Sequence, residues 1–136
     1  MKELTILVSP YRIDFTPKLV EVGRREILTV AVDWTENVKD GIKFWKQVEI
    51  GRFFECYPNE KTDYGVLPEL DVGASRTGLY ENKTRVEFQQ TAFDPMRSQD
   101  VYARFPIKAT TVAGETWTFD PVIIIKPWPG DDSATA

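Results

Sequence analysis

Histidine is absent from the 136-residue chain, and cysteine occurs once, as Cys56. The first absence removes Ser-His-Asp and Cys-His nucleophile systems, His-ligated zinc and copper centres of the cupredoxin kind. A single cysteine forms neither an intrachain disulfide nor a cysteine-rich metal site. A chain that does without disulfides fits a reducing compartment, so the expected location is the cytoplasm. Glycine-rich phosphate loops are missing too: "GASRTG", from Gly73 to Gly78, has flexible residues but neither the spacing nor the lysine of a P-loop. No Asp-x-Asp-x-Asn-Gly calcium loop occurs. No apolar run approaches the roughly 18 residues that a membrane span needs. The opening "MKELTILVSPYR" alternates and carries Glu3, which reads as a first strand rather than the apolar region of a secretory signal. Positive charge is the scarcer sign, with 17 Lys and Arg against 21 Asp and Glu. That balance runs against a nucleic-acid partner, whose phosphates reward basic surfaces. The expectation is no catalytic set, no metal, no cofactor, no nucleic acid and no membrane.

What is present describes a globular domain. An apolar fraction of 42% is enough for a real core in a chain of this length. Leu28, Val30, Val32 and Trp34 alternate with Thr29, Ala31 and Asp33, and the β-branched enrichment favours strand over helix. Asp40-Gly41 is the sharpest turn signal. From Ile42 to Phe54 the pattern fits both periods. Strand is preferred because Gly41 and Gly51 bracket a strand-length segment rich in aromatic and β-branched residues. In that phase Ile42, Phe44, Val48 and Ile50 face inward and Trp45 outward, with Lys46 breaking the alternation. Between Tyr57 and Asn82 the pattern dissolves into prolines, glycines and scattered apolar residues, the kind of irregular connection that often carries binding.

Regularity returns after Asn82. Val101, Ala103, Phe105, Ile107 and Ala109 share one face, with Pro106 on the other, which implies an edge or a bulge. Ala113-Gly114 turns the chain into a return strand in which Trp117 and Phe119 face the core. Pro121 then interrupts the ladder ahead of the apolar run Val122 to Ile125, and reads as a corner where the strand changes neighbours. Seven to eight strands with no clear helix predict an antiparallel, immunoglobulin-like β-sandwich over residues 1–129, followed by a disordered tail at 130–136.

The hairpin from Tyr102 to Ile125 carries a resemblance. Tyr102, Arg104 and Ile107 lead into Phe119-Asp120-Pro121, followed by Ile123 and Ile125. This is similar to the last two strands of small bacterial β-sandwich proteins such as the AidA/PixA-like inclusion-body family. The resemblance implies a cytoplasmic sandwich with no catalytic residue to carry over.

Three functions follow in order. The first is a non-enzymatic module that binds another protein or itself, with Val122, Ile124, Trp128 and Trp45 as interface candidates near a pairable edge. Tyr57, Tyr64 and Tyr80 are loop-contact candidates for the same role. The second is a carbohydrate-binding module that stacks sugars on Trp45, Trp128 and the loop tyrosines. The third is a small hydrolase using a carboxylate pair such as Glu69 and Asp71. Cys56, among aromatics in "FFECYP", is expected to be a buried, unreactive thiol.

Overall fold

The computed structural model of the chain describes residues 2–56, 70, 76–80 and 84–130. Among them are fourteen short strands and no helix: β1 (Lys2–Ser9), β2 (Arg12–Thr16), β3 (Val20–Arg24), β4 (Ile27–Asp33), β5 (Val38–Lys39), β6 (Ile42–Lys43), β7 (Trp45–Ile50), β8 (Phe54–Cys56), β9 (Arg76–Leu79), β10 (Arg85–Ala92), β11 (Val101–Arg104), β12 (Ile107–Thr111), β13 (Thr116–Phe119) and β14 (Val122–Pro129). The all-β expectation holds, and the segment from Ile42 to Phe54 is strand rather than helix. The purely antiparallel expectation does not. β1 runs parallel to β4, and β14 runs parallel to β3, so the sheets are mixed.

One four-stranded sheet has the order β10-β4-β1-β2. Two more, β13-β12-β7-β9 and β3-β14-β11-β8, are halves of one creased surface, because three neighbouring strands run from one half into the other. β7 continues into β8 through Gly51–Phe53, β12 joins β11 at Phe105–Pro106, and β13 joins β14 at Asp120–Pro121. The crease follows from residues that cannot sustain a ladder there. Pro106 and Pro121 have no N–H to give. Their carbonyls instead accept bonds from Gly51 N–H at 2.8 Å and Phe105 N–H at 3.4 Å. Gly51 has to be a glycine: a Cβ on it would lie 2.4 Å from Pro106 Cγ. Pro121 is thus the corner its sequence implied. Pro106 marks the same crease in an interior strand, not a sheet edge.

The core lies between the flat sheet and the creased one. Leu4, Ile6, Leu28, Val30, Val32 and Trp34 enter from the first, and Val48, Ile50, Phe53, Phe105, Ile107, Ile123 and Ile125 from the second. Phe53 packs on both Phe93 and Phe105, with ring centroids 5.0 and 4.4 Å apart. Along one side the sheets close tightly, since the Phe88 ring fills the space where a side chain on Gly78 would stand. Phe88 reaches that position because it is an extra residue in β10, bulged between Glu87 and Gln89.

Candidate functional site

The strongest surface feature is built from the hairpin of β5 and β6. Asp40 and Gly41 link these strands with φ of 54° and 78°, the positive values that a two-residue hairpin turn requires. Phe44 N–H donates to Asn37 O at 3.1 Å and closes the base of the hairpin. Asn37 is fully buried, and its amide is used twice: Oδ1 accepts from Trp45 N–H at 2.7 Å, and Nδ2 donates to Trp45 O at 3.0 Å. The indole N–H of Trp45 donates to Ser9 O at 2.7 Å, which ties the end of β1 to the start of β7. These bonds fix Trp45 as a rigid platform.

Aromatic and aliphatic side chains are laid around that platform. Phe44 meets Trp45 edge-on at 5.0 Å and Tyr11 at 4.5 Å, while Trp117 meets Trp45 edge-on at 5.6 Å. Val112 joins through its N–H, which donates to Phe44 O at 2.9 Å. Tyr11 is 75% exposed and Ile42 72%, and together with the half-buried Phe44 they give the hairpin end an apolar surface, while Val112 nearby is 52% exposed. A recess of about 290 Å³ opens there between Pro10, Tyr11, Lys39, Ile42, Lys43 and Phe44. Lone exposed apolar residues are ordinary on a protein surface, whereas connected ones mark contact sites.

The interface residues expected from sequence fare differently. Trp45 is fully buried, not exposed. The reason is a bulge at Lys46: Thr110 pairs with Gln47 and Thr111 with Trp45, so Lys46 is an extra residue that shifts the phase by one. Ile124 is also buried, flanked in its row by Tyr102 and Glu21, whereas Val122, at the start of the strand, is 38% exposed. Their strand is no edge, because β11 pairs with one side of it and β3 with the other. Trp128 is 58% exposed as expected. It stands beside Lys2 at the start of β1, however, while Tyr11 follows the end of that strand. Eight strand residues separate those points by about 25 Å, so Trp128 does not join the apolar end. Trp117 faces inward as expected, but its position on a terminal strand leaves it 39% exposed. Tyr80 is half-buried, with its ring 5.6 Å from Trp34 and Lys43 Nζ 5.5 Å from its centroid. Tyr57, Tyr64, Glu69, Asp71 and the tail beyond Gly130 lie outside the described residues.

Sequence reasoning missed Tyr11, Ile42 and Val112 as surface residues, whereas Phe44, expected inward, is half-buried against the core. The usable signal was local. A bulky apolar residue directly beside an Asp-Gly turn, or inside the Pro10–Tyr11 reversal, has little opposite it to bury against.

Burial pushes the Cys56 thiol up, against the opposing pull of Arg104. Arg85 donates to Glu3 across the flat sheet and, helped by the Thr5 hydroxyl, holds that carboxyl below its usual range. Asp100 accepts a 3.0 Å bond from Lys126 and raises that ammonium's pKa. Glu55 takes a two-pronged bond from Arg97 at 2.9 and 3.0 Å. Among the described residues, no group of three or more Asp, Glu or Cys is arranged to hold a metal ion, and no helix is long and apolar enough to cross a membrane. Comparison with protein-family models, curated proteins and solved structures finds no match to this chain, so the functional reading rests on its own geometry.

Proposed function

We propose that the chain is a non-enzymatic protein-interaction or self-assembly module, built on an immunoglobulin-like sandwich and working in the cytoplasm. The observation that carries this reading is the exposed apolar end formed by Tyr11, Ile42 and Phe44 beside the buried Trp45. Rigid aromatic anchors on a preformed platform are what protein interfaces use, since little side-chain freedom is lost on binding. The sandwich reading draws support from the way consecutive strands change sheets, from β2 to β3, from β3 to β4 and from β10 to β11. It also agrees with the resemblance of the Tyr102–Ile125 hairpin to the AidA/PixA-like inclusion-body family. Against the sugar-binding alternative, Trp45 is interior, while Trp128 is exposed toward the opposite end from Tyr11.

The test is affinity capture with the full chain beside its Ile42→Asp and Tyr11→Asp variants. Both side chains are largely exposed, so each variant should keep the wild-type fold by circular dichroism. The reading expects a partner, or the chain itself, held by the wild type and lost at least tenfold in both variants. Equal capture by all three proteins would remove the apolar end from the account.

A further inference from the structure

Sheet edges invite pairing with another chain, and native proteins guard them with charge, proline, bulges or brevity. Most edges here are guarded. β2 carries Arg12 and Asp14, with Lys18 also paired to Asp14. β10 has its bulge at Phe88 together with Arg85 and Glu87. β8 is three residues long, with Glu55 clamped by Arg97. β3 contains Glu21, Gly23 and Arg24. β9 borders residues outside the described set. β13 differs from all of these. Its sequence is Thr-Trp-Thr-Phe, with no charge, proline or bulge, and Thr116, Trp117 and Thr118 are all exposed.

Among the described residues, the slot beside β13 is left open by the crease. Beyond Pro121 the position next to β14 is filled by β3, whose first paired residue, Val20, lies opposite Ile123. Nothing among the described residues continues that strand alongside β13. The ladder phase shows which groups are free. Thr111 N–H donates to Glu115 O at 2.8 Å, so antiparallel alternation turns the backbone groups of Trp117 and Phe119 toward β12. The N–H and C=O of Thr116 and Thr118 therefore point away from the sheet.

We propose that β13 pairs antiparallel with β13 of a second copy of the chain, about a two-fold axis passing between the two Trp117 residues. The inference deepens the interaction reading above by naming the partner and the register. Thr-Trp-Thr reads the same in both directions, which makes the edge self-complementary. Thr116 lies opposite Thr118 of the partner subunit, and each such pair exchanges its backbone hydrogen bonds. Trp117 lies opposite Trp117 of the partner subunit, an aromatic pair at the closest strand spacing. Charge is compatible with this register. Glu115 faces Phe119 of the partner subunit and Asp120 faces Gly114 of the partner subunit, so no carboxylates oppose each other. A two-fold contact of this kind closes on itself and yields a dimer rather than a fibre. Four residues a side make a contact below about 1,200 Å², the size class of weak, reversible association.

Sedimentation velocity of the full chain from about 5 to 500 μM, a range set by that size class, tests the idea. The expected result is a reversible monomer–dimer equilibrium. Two double variants then test the register. T116K/T118K sets lysine against lysine twice and should shift dimerisation at least tenfold weaker. T116K/T118E sets lysine against glutamate twice and should restore it. Amide exchange gives a readout free of substitutions: the Thr116 and Thr118 N–H groups should become protected only at dimer-forming concentrations. A wild-type chain that stays monomeric throughout would overturn the proposal. So would a dimer indifferent to T116K/T118K, or one that T116K/T118E fails to restore. A dimer lost in Ile42→Asp but kept in T116K/T118K would place the contact on the hairpin end, overturning this proposal while leaving the interaction reading intact.

Discussion

Residues 116–119 and 122–129 form one continuous C-terminal segment, yet they meet opposite surroundings. After Pro121, Ile123 and Ile125 are fully buried, β11 and β3 pair with the two sides of the strand, and Lys126 is tied to Asp100. Before Asp120, β12 pairs with one side only, and three of the four residues are exposed. Both stretches are rich in residues that favour strands, so propensity does not separate them. The difference comes from where a distant N-terminal strand stops. β3 reaches Ile123 and goes no further, because Lys18 and Leu19 before it are exposed. A strand's role as core or edge is thus decided by its neighbour's length.

That contrast is open to measurement. Ile125→Ala should destabilise the fold by about 3 kcal/mol, read as a lower urea midpoint with an unchanged slope, because it leaves a cavity among residues that are already fully packed. Trp117→Ala should cost only about 1 kcal/mol in the same assay, since the half-exposed ring loses chiefly its edge-on contact with Trp45. Equal losses in the two variants would mean that the edge is not the weaker half. The smallest effect concerns pH. The bond to Asp100 raises the Lys126 pKa, so its stabilisation is fully present below the ordinary lysine pKa of about 10.4 and disappears as pH rises through the raised value. Unfolding midpoints of the wild type and Asp100→Asn should therefore differ slightly near neutrality and converge in strong alkali. A gap that widens with pH would contradict this assignment.

Several features were legible in the sequence because their cause is local. Alternation in Leu28–Trp34 and in Val101–Ala109 gave the right inward faces, since a strand's period is independent of its neighbours. Pro121 was readable as a corner because a missing N–H interrupts any ladder. The Asp40-Gly41 turn followed from positive φ. The phase of Trp45 was not legible. Lys46 visibly broke the alternation, but whether a break means a turned-out residue or a bulge depends on the partner strand, and β12 supplies one residue fewer. Tyr11 and Phe44 lie over thirty positions apart in sequence, and their segments meet only in the fold, where the Trp45–Ser9 bond helps hold them together.

By itself, then, the sequence determined that the chain is all-β, where it turns, and which residues inside its regular strands face inward. It also excluded histidine-dependent chemistry by composition. Tertiary structure alone decided the mixed sheet pairing, the shared crease at Gly51, Pro106 and Pro121, the burial of Trp45 and the exposure of β13. The physical reason is that backbone torsions and side-chain alternation are set within a few residues. Pairing, burial and edge status depend on segments that meet only when the chain has folded.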